Sequence, residues 1–218
     1  MSFSIPVSIS TNTFEKMIPT NDEVIRTALK KKLQGYYAKD DHPVKIFEEL
    51  GVRHGAVRVD IAVVNGIMHG YEIKSDRDTL GRLPEQMKEF NAVFDKITLV
   101  VGKRHLLGVI NAVPEWWGVM VAKINTNNKV VFYTIREAED NPEQVGISIA
   151  RLLWREEALR ILKEENKEVG FCSKPRGLIY ERLADILDIN SLKKKVRDTL
   201  LVSREGWRSD VQLMLSGD

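Results

Sequence analysis

Residues 58–101 read RVDIAVVNGIMHGYEIKSDRDTLGRLPEQMKEFNAVFDKITLVV. Arg58–Val64 and Met68–Lys74 are each rich in β-branched residues, and Asn65-Gly66 between them supplies two positions tolerant of positive φ, so the segment predicts a β-hairpin. Three charged residues interrupt these otherwise apolar strands: Asp60, Glu72 and Lys74. An ionised group in a strand interior is costly unless it is paired or bound to a metal. Alternation puts Glu72 and Lys74 on one face, and a suitable register in the hairpin brings Asp60 beside them. Downstream, Ser75–Asp78 is a polar break with N-cap character. Leu80, Leu83, Met87, Phe90, Val93 and Phe94 then follow helical spacing, with Pro84 marking the first turn. KITLVV (96–101) is a continuous apolar strand, and strand, helix, strand favours a parallel crossover. Hairpin plus crossover predicts a mixed sheet.

On the N-terminal side, residues 1–19 read as a loose arm. Thr20 and Glu23 have capping-box spacing ahead of a helix through Val24, Ile25, Ala28, Leu29 and Leu33. Lys30–Lys32 read as a solvated face of that helix. Pro43 is placed to open a second helix, Val44–Leu50, closed by Gly51. Glu48 and Glu49 fall equally far from the centre of its apolar side, so the helical wheel does not choose which of them turns toward the strands. On the other side, Val113–Ala122 and Lys129–Ile135 predict two more strands, with Trp116 and Trp117 expected in the core. Residues 136–142 form a charged boundary. Beyond it, helical patterns span Val145–Glu165, Leu178–Leu187 and Leu192–Val202, a region open to reading as a helix-turn-helix module. Its Lys174, Arg176, Lys193, Lys194, Lys195, Arg197, Arg204 and Arg208 are candidates for phosphate contacts.

Composition bounds these readings. The chain has 218 residues, 43% hydrophobic and 29% charged, with a net charge of +2, which neither demands nor excludes a nucleic-acid partner. Cys172 is the single cysteine, which rules out an internal disulfide and a cysteine-based zinc site. No apolar run approaches the roughly 18 residues of a membrane span. The expectation is a cytoplasmic protein with no membrane partner.

Carboxylates from adjacent strands form a hard oxygen site suited to Mg²⁺ or Mn²⁺. Such an ion makes bound water a better nucleophile and neutralises charge on a phosphate. Lys74 is then placed to orient or deprotonate the water, or to offset phosphoryl charge. Arg82 and Gln86, four residues apart, share a helix face that can turn toward the strand ends, although a surface pair fits equally well. His42, His54, His69 and His105 show no paired ligand spacing, and His69 is expected not to ligate.

Asp60, eleven intervening residues, then Glu72-Ile73-Lys74 resembles the split acid signature of the PD-(D/E)xK phosphodiesterase superfamily, with Val59 where a proline is usual. GAVRVDIAVVNG (55–66), GYEIKSDRDTLGRLPEQ (70–86) and LLWREEALRIL (152–162) resemble a small bacterial and phage branch of unassigned function. The resemblance implies an α/β fold: a restriction-endonuclease-like core over 20–140 with a mixed central sheet flanked by helices, followed by an α-helical region over 141–218. It needs the core order αβββαβ, one strand of which is short or missing in the reading above. It further implies metal-dependent hydrolysis of nucleic acid, DNA foremost, leaving phosphate on the 5′ side. Asp60, Glu72 and the Ile73 carbonyl would hold the ion, Glu49 rather than Glu48 would add a carboxylate, and Lys74 and Gln86 would serve catalysis, with Arg82 and Ser75 in support. Homodimerisation is compatible with duplex cutting. Two other readings stand beside it: a non-catalytic nucleic-acid binder on the same fold, and a partner-binding protein whose buried acids are structural.

Overall fold

In the computed structural model, residues 18–39 and 41–203 are described. The expected arm and the cations Arg204 and Arg208 fall outside them, the arm almost entirely. The elements run α1 (Asp22–Tyr37), β1 (Lys45–Val52), β2 (Val57–Val64), β3 (Met68–Lys74), α2 (Leu83–Asn91), β4 (Lys96–Gly102), a 3-10 turn, α3 (Leu106–Val109), β5 (Gly118–Ile124), β6 (Val130–Arg136), α4 (Gly146–Ala150), α5 (Arg155–Glu164), α6 (Arg176–Ile186) and α7 (Ile189–Ser203). The six strands form one sheet in sequence order. β1, β2 and β3 are antiparallel neighbours, β3–β4 and β4–β5 are parallel, and β5–β6 is antiparallel. The hairpin at Asn65-Gly66, with Gly66 at φ 94°, and the mixed sheet are as the sequence predicts.

The expected second helix is a strand. Val44, Ile46, Phe47 and Leu50 fit a short helical stripe, but Lys45–Val52 pairs with β2 on both sides of Glu49, from Lys45↔Val64 to Val52↔Val57. Long-range pairing decides a short segment that local periodicity leaves ambiguous. The helix preceding this strand is therefore α1. Its N-cap is Asn21, whose side chain accepts the Val24 N–H at 2.9 Å. The expected cap, Thr20, is engaged elsewhere, with its N–H and hydroxyl both donating to Asp76 Oδ2 at 2.8 Å. Asp76 also accepts the Arg104 N–H at 3.1 Å. This buried carboxylate ties the start of α1 to the loop that leaves β3.

Two apolar layers sandwich the sheet. α1 lays Ile25, Leu29 and Leu33 over Ile61, Val63, Tyr71 and Ile73. The opposite face carries the larger core, in which α2 (Leu83, Phe90) and the C-terminal helices (Ile149, Leu162, Leu183, Val196, Leu200) pack with Val59, Ala62, Leu99 and Val119. Trp116 and Trp117 are buried there as expected, the Trp117 indole N–H donating to Asn91 at 2.9 Å. The single long helix expected over 145–165 is divided at residues 151–154, and α5 restarts where the Glu157 carboxylate accepts the Trp154 N–H at 2.7 Å. Among the described residues no helix is long and apolar enough to cross a membrane.

Candidate active site

The register of the first three strands lines up three acids. Glu48 faces Ile61 and Leu50 faces Val59, so Glu49 stands opposite Asp60. The β2–β3 ladder ends at Ile61↔Tyr71, and one step further puts Asp60 opposite Glu72. Regular pairing lapses along this row. Glu49 has φ 55°, a left-handed conformation that a side-chain-bearing residue adopts at a cost of roughly 1–3 kcal/mol. Asp60 Oδ2 takes over a backbone donor, accepting the Ile73 N–H at 2.7 Å.

Glu72 and Lys74 are only 2% and 5% exposed, on the face covered by α2. Lys74 Nζ donates to Glu72 Oε1 at 2.6 Å and to Gln86 Oε1 at 2.9 Å, while Gln86 Nε2 donates to the same Glu72 Oε1 at 2.6 Å. One carboxylate oxygen thus carries two donors. The other, Oε2, is buried with no hydrogen-bond partner. A buried oxygen left that way is unusual and calls for an explanation such as an absent ion.

Arg26 of α1 completes the row. Its Nη2 donates to Asp22 at 3.0 Å and to Asp60 Oδ1, and its Nη1 donates to Glu49. Burial opposes its charge, but Glu49, Asp60 and Asp22 more than offset this, so the guanidinium is held firmly cationic. Asp60 behaves oppositely. Burial and then the neighbouring Glu72 charge push its carboxyl up to about 8, against the Ile73 N–H and Arg26. Glu72 is raised too, by burial above all, with Lys74 and Gln86 working the other way.

These groups open onto one cleft of about 640 Å³, lined by Glu49, Asp60, Glu72, Ile73, Lys74 and Gln86 among others. Six carboxylates and four cationic side chains line it: Asp22, Glu49, Asp60, Glu72, Asp78 and Glu85 against Arg26, Arg58, Lys74 and Arg82. Asp60 and Glu72 are both raised toward protonation, and a bound cation would hold them ionised. Among the described residues no three His, Cys, Asp or Glu side chains form a ready-made ligand cluster. Mg²⁺, however, is commonly held by one or two carboxylates with waters and substrate phosphate making up its shell. Asp60 and the unpartnered Glu72 oxygen fit that donor set.

The sequence-derived candidates are placed as follows. Asp60, Glu72, Ile73, Lys74, Gln86, Glu49 and Arg82 all border the cleft, Glu49 from a strand and not from the expected helix. Ser75 does not. Its hydroxyl is spent on Asp78 Oδ2 at 2.6 Å, closing the turn after β3. Glu48 pairs with Lys30, one of the lysines expected to be solvated. His69 Nε2 and the Thr98 hydroxyl share a hydrogen bond of 2.9 Å, and the ring stacks on Tyr71. Of the basic C-terminal candidates, three are drawn onto acids outside α7, while Lys174, Arg176 and Lys194 are exposed. Lys193 and Arg197 reach Asp95, Lys195 reaches Glu164 and Glu165, and Lys194 pairs with Asp198. Asp22 and Arg26 went unread in the sequence, where the only signal is their four-residue spacing beside the buried Ile25.

A family model for bacteriophage P4 protein cII matches residues 20–212, the whole of this architecture. The chain belongs to the bacteriophage P4 cII family. Protein cII of Enterobacteria phage P4 is 36% identical to this cII-family chain over 151 residues, 69% of the chain and 56% of the phage protein. The chain therefore spans little more than half the length of that curated relative. A solved structure, the SPO1766 protein of unknown function from Silicibacter pomeroyi, aligns over 70% of this chain and 94% of its own at 16% identity and a TM-score of 0.39.

Proposed function

We propose that this cII-family chain is a metal-dependent nuclease, hydrolysing nucleic-acid phosphodiester bonds, with DNA the foremost substrate. The observation that carries the reading is Glu72, with one oxygen fixed by Lys74 and Gln86 and the other buried, unpartnered and next to Asp60 in the strand row. The order α1-β1-β2-β3-α2-β4 supports it, because it is the αβββαβ arrangement that a restriction-endonuclease-like core requires.

In this reading Asp60 and Glu72 hold Mg²⁺ or Mn²⁺, with the Ile73 carbonyl and Glu49 as further donors. When bound, the ion supplies Lewis-acid activation of water and neutralises phosphoryl charge. Gln86 and Lys74 fix the Glu72 carboxylate, so its free oxygen needs no reorganisation on binding. The Lys74 ammonium lies at the cleft wall, where it offsets negative charge on the phosphate under attack. Water adds to phosphorus and gives a proton to solvent, the P–O3′ bond breaks, O3′ leaves as a hydroxyl on taking a proton from solvent, and the phosphate stays on the 5′ carbon. A second groove of about 660 Å³ shares two walls with the first, the β1–β2 turn and α2. It exposes Arg53, Lys88 and Arg151. Among the described residues Lys88 and Arg151 make no ion pair, which leaves them to take backbone phosphates beyond the scissile one.

The test is cleavage of plasmid, linear duplex, single strand and RNA with Mg²⁺ or Mn²⁺, with Asp60→Ala and Lys74→Ala as controls. Metal-dependent cutting by the wild type that both variants lose is the expected result; binding without cutting of any substrate overturns it. A non-catalytic nucleic-acid binder is the second reading. It is favoured by Arg26, a cation already seated among the acids.

A further inference from the structure

Arg26 stands where a metal ion would compete for ligands. Its guanidinium bonds to Asp22, Glu49 and Asp60 at once, and its side chain is 16% exposed. Like charges opposite one another on neighbouring strands repel, so without a cation between them Glu49 and Asp60 would push β1 and β2 apart at the step where their ladder lapses. Arginine cannot shed its proton to leave such a site. It leaves only by swinging its side chain out. Two features show that it is imperfectly fitted as a permanent occupant. Its Nε is buried without a hydrogen-bond partner, and its bonds do not extend to the equally unpartnered Glu72 Oε2 in the same row.

We propose that Arg26 is an internal counter-cation that holds Glu49 and Asp60 in the metal-free protein and is displaced from Asp60 when a divalent ion binds. The proposal rests on the metal-binding reading above. The arginine thereby sets the affinity threshold for the ion: every metal-binding event carries the loss of its bonds to Asp60 and of any to Glu49 that the ion also takes. Bidentate and geometrically rigid, a guanidinium fills this role as lysine would not.

The experiment is titration of Mn²⁺ at fixed pH, without nucleic acid, into the wild type, Arg26→Gln, Arg26→Lys and Asp60→Ala, followed by calorimetry and by the electron-paramagnetic signal of free Mn²⁺. Expected is at least a tenfold tighter Mn²⁺ affinity in Arg26→Gln, together with a lower melting temperature in the absence of metal and a larger rise on adding Mn²⁺. Arg26→Lys, which cannot hold two carboxylates in a fork, lies between, and it carries the test if Arg26→Gln does not fold. Equal or weaker Mn²⁺ affinity in the Arg26 variants, with wild-type binding that Asp60→Ala abolishes, overturns the displacement and leaves the metal site standing. No Mn²⁺ binding by folded wild type or by either folded Arg26 variant removes the metal reading and this proposal together.

Discussion

Glu49 of β1 stands directly opposite Asp60 of β2, and both carboxylates close on one guanidinium. The pair sits where backbone pairing lapses and where Glu49 takes a positive φ. Local strain and local charge coincide at the mouth of the cleft, and the behaviour of the molecule there follows from which group neutralises the acids.

Stability of the metal-free protein should fall with pH on account of Asp60. Its carboxyl is raised to about 8 in the folded chain from 3.8, so between these values the folded state binds more protons than the unfolded one. By linkage, each step up in pH across this window then favours unfolding. Asp60→Asn mimics the protonated form. In thermal melts at pH 5 and pH 8.5 the variant should gain on the wild type as pH rises, and an unchanged difference would refute the assignment. Because a divalent ion prefers the ionised carboxylate, the Mn²⁺-induced rise in melting temperature should be larger at pH 8 than at pH 6.

Lys74→Met keeps the aliphatic stem and removes the ammonium. Loss of one partner from a buried ion pair costs roughly 3–5 kcal/mol when the other charge is stranded. Glu72 is already raised toward protonation, so a proton can take the place of the lysine and the loss measured by urea unfolding should fall below that range. Cleavage, by contrast, should drop by roughly 10²–10³-fold.

The tether between α1 and the β3 exit gives a stability prediction at two positions. Thr20→Val removes the hydroxyl that donates to Asp76 and accepts the Asp76 N–H at 3.0 Å, with an expected loss of about 1–3 kcal/mol. A Cβ on Gly102 would lie 2.4 Å from Asp76 Oδ1 and 2.6 Å from Asp76 N, so Gly102→Ala must push the same loop away, at about 1–3 kcal/mol. Since both act through Asp76, the double variant should lose less than the two added together. Additive losses would show that the sites are independent.

Charge reversal separates surface from scaffold. Lys88→Glu or Arg151→Glu should weaken nucleic-acid binding and lower the slope of log affinity against log salt by about one per lost phosphate contact, with little change in melting temperature. Lys193→Glu should do the reverse, because Lys193 is paired with the buried Asp95. Weaker binding by the Lys193 variant at unchanged stability would return nucleic-acid contact to α7.

The sheet was legible wherever a local rule decided the conformation. Asn65-Gly66 allowed one turn, KITLVV one kind of strand, and two-residue alternation put Glu72 beside Lys74. β1 was not, since four apolar residues in seven fit either period and Gly51 looks like a helix terminator; only its pairing with β2 tells them apart. Arg26 was hidden for a related reason. On a lysine-rich helix it resembles any solvated cation, and two of its three partners lie 23 and 34 residues away in sequence. For the C-terminal lysines the sequence left the pairing open, because charge in a sequence carries no mark of whether an acid across the fold answers it, as Asp95 does for Lys193 and Glu165 for Lys195.

Asp95 lies just before β4. Its backbone N–H and its carboxylate bond to the carbonyl and the N–H of Met68, the first residue of β3, and Lys193 and Arg197 of α7 converge on the same side chain. The last long helix and the strand bearing Glu72 therefore share one anchor. A chain ended after residue 140 would lose both cations from a buried acid and the C-terminal helices' share of the larger core. A load applied to α7 is therefore felt at the first residue of β3, through one buried carboxylate.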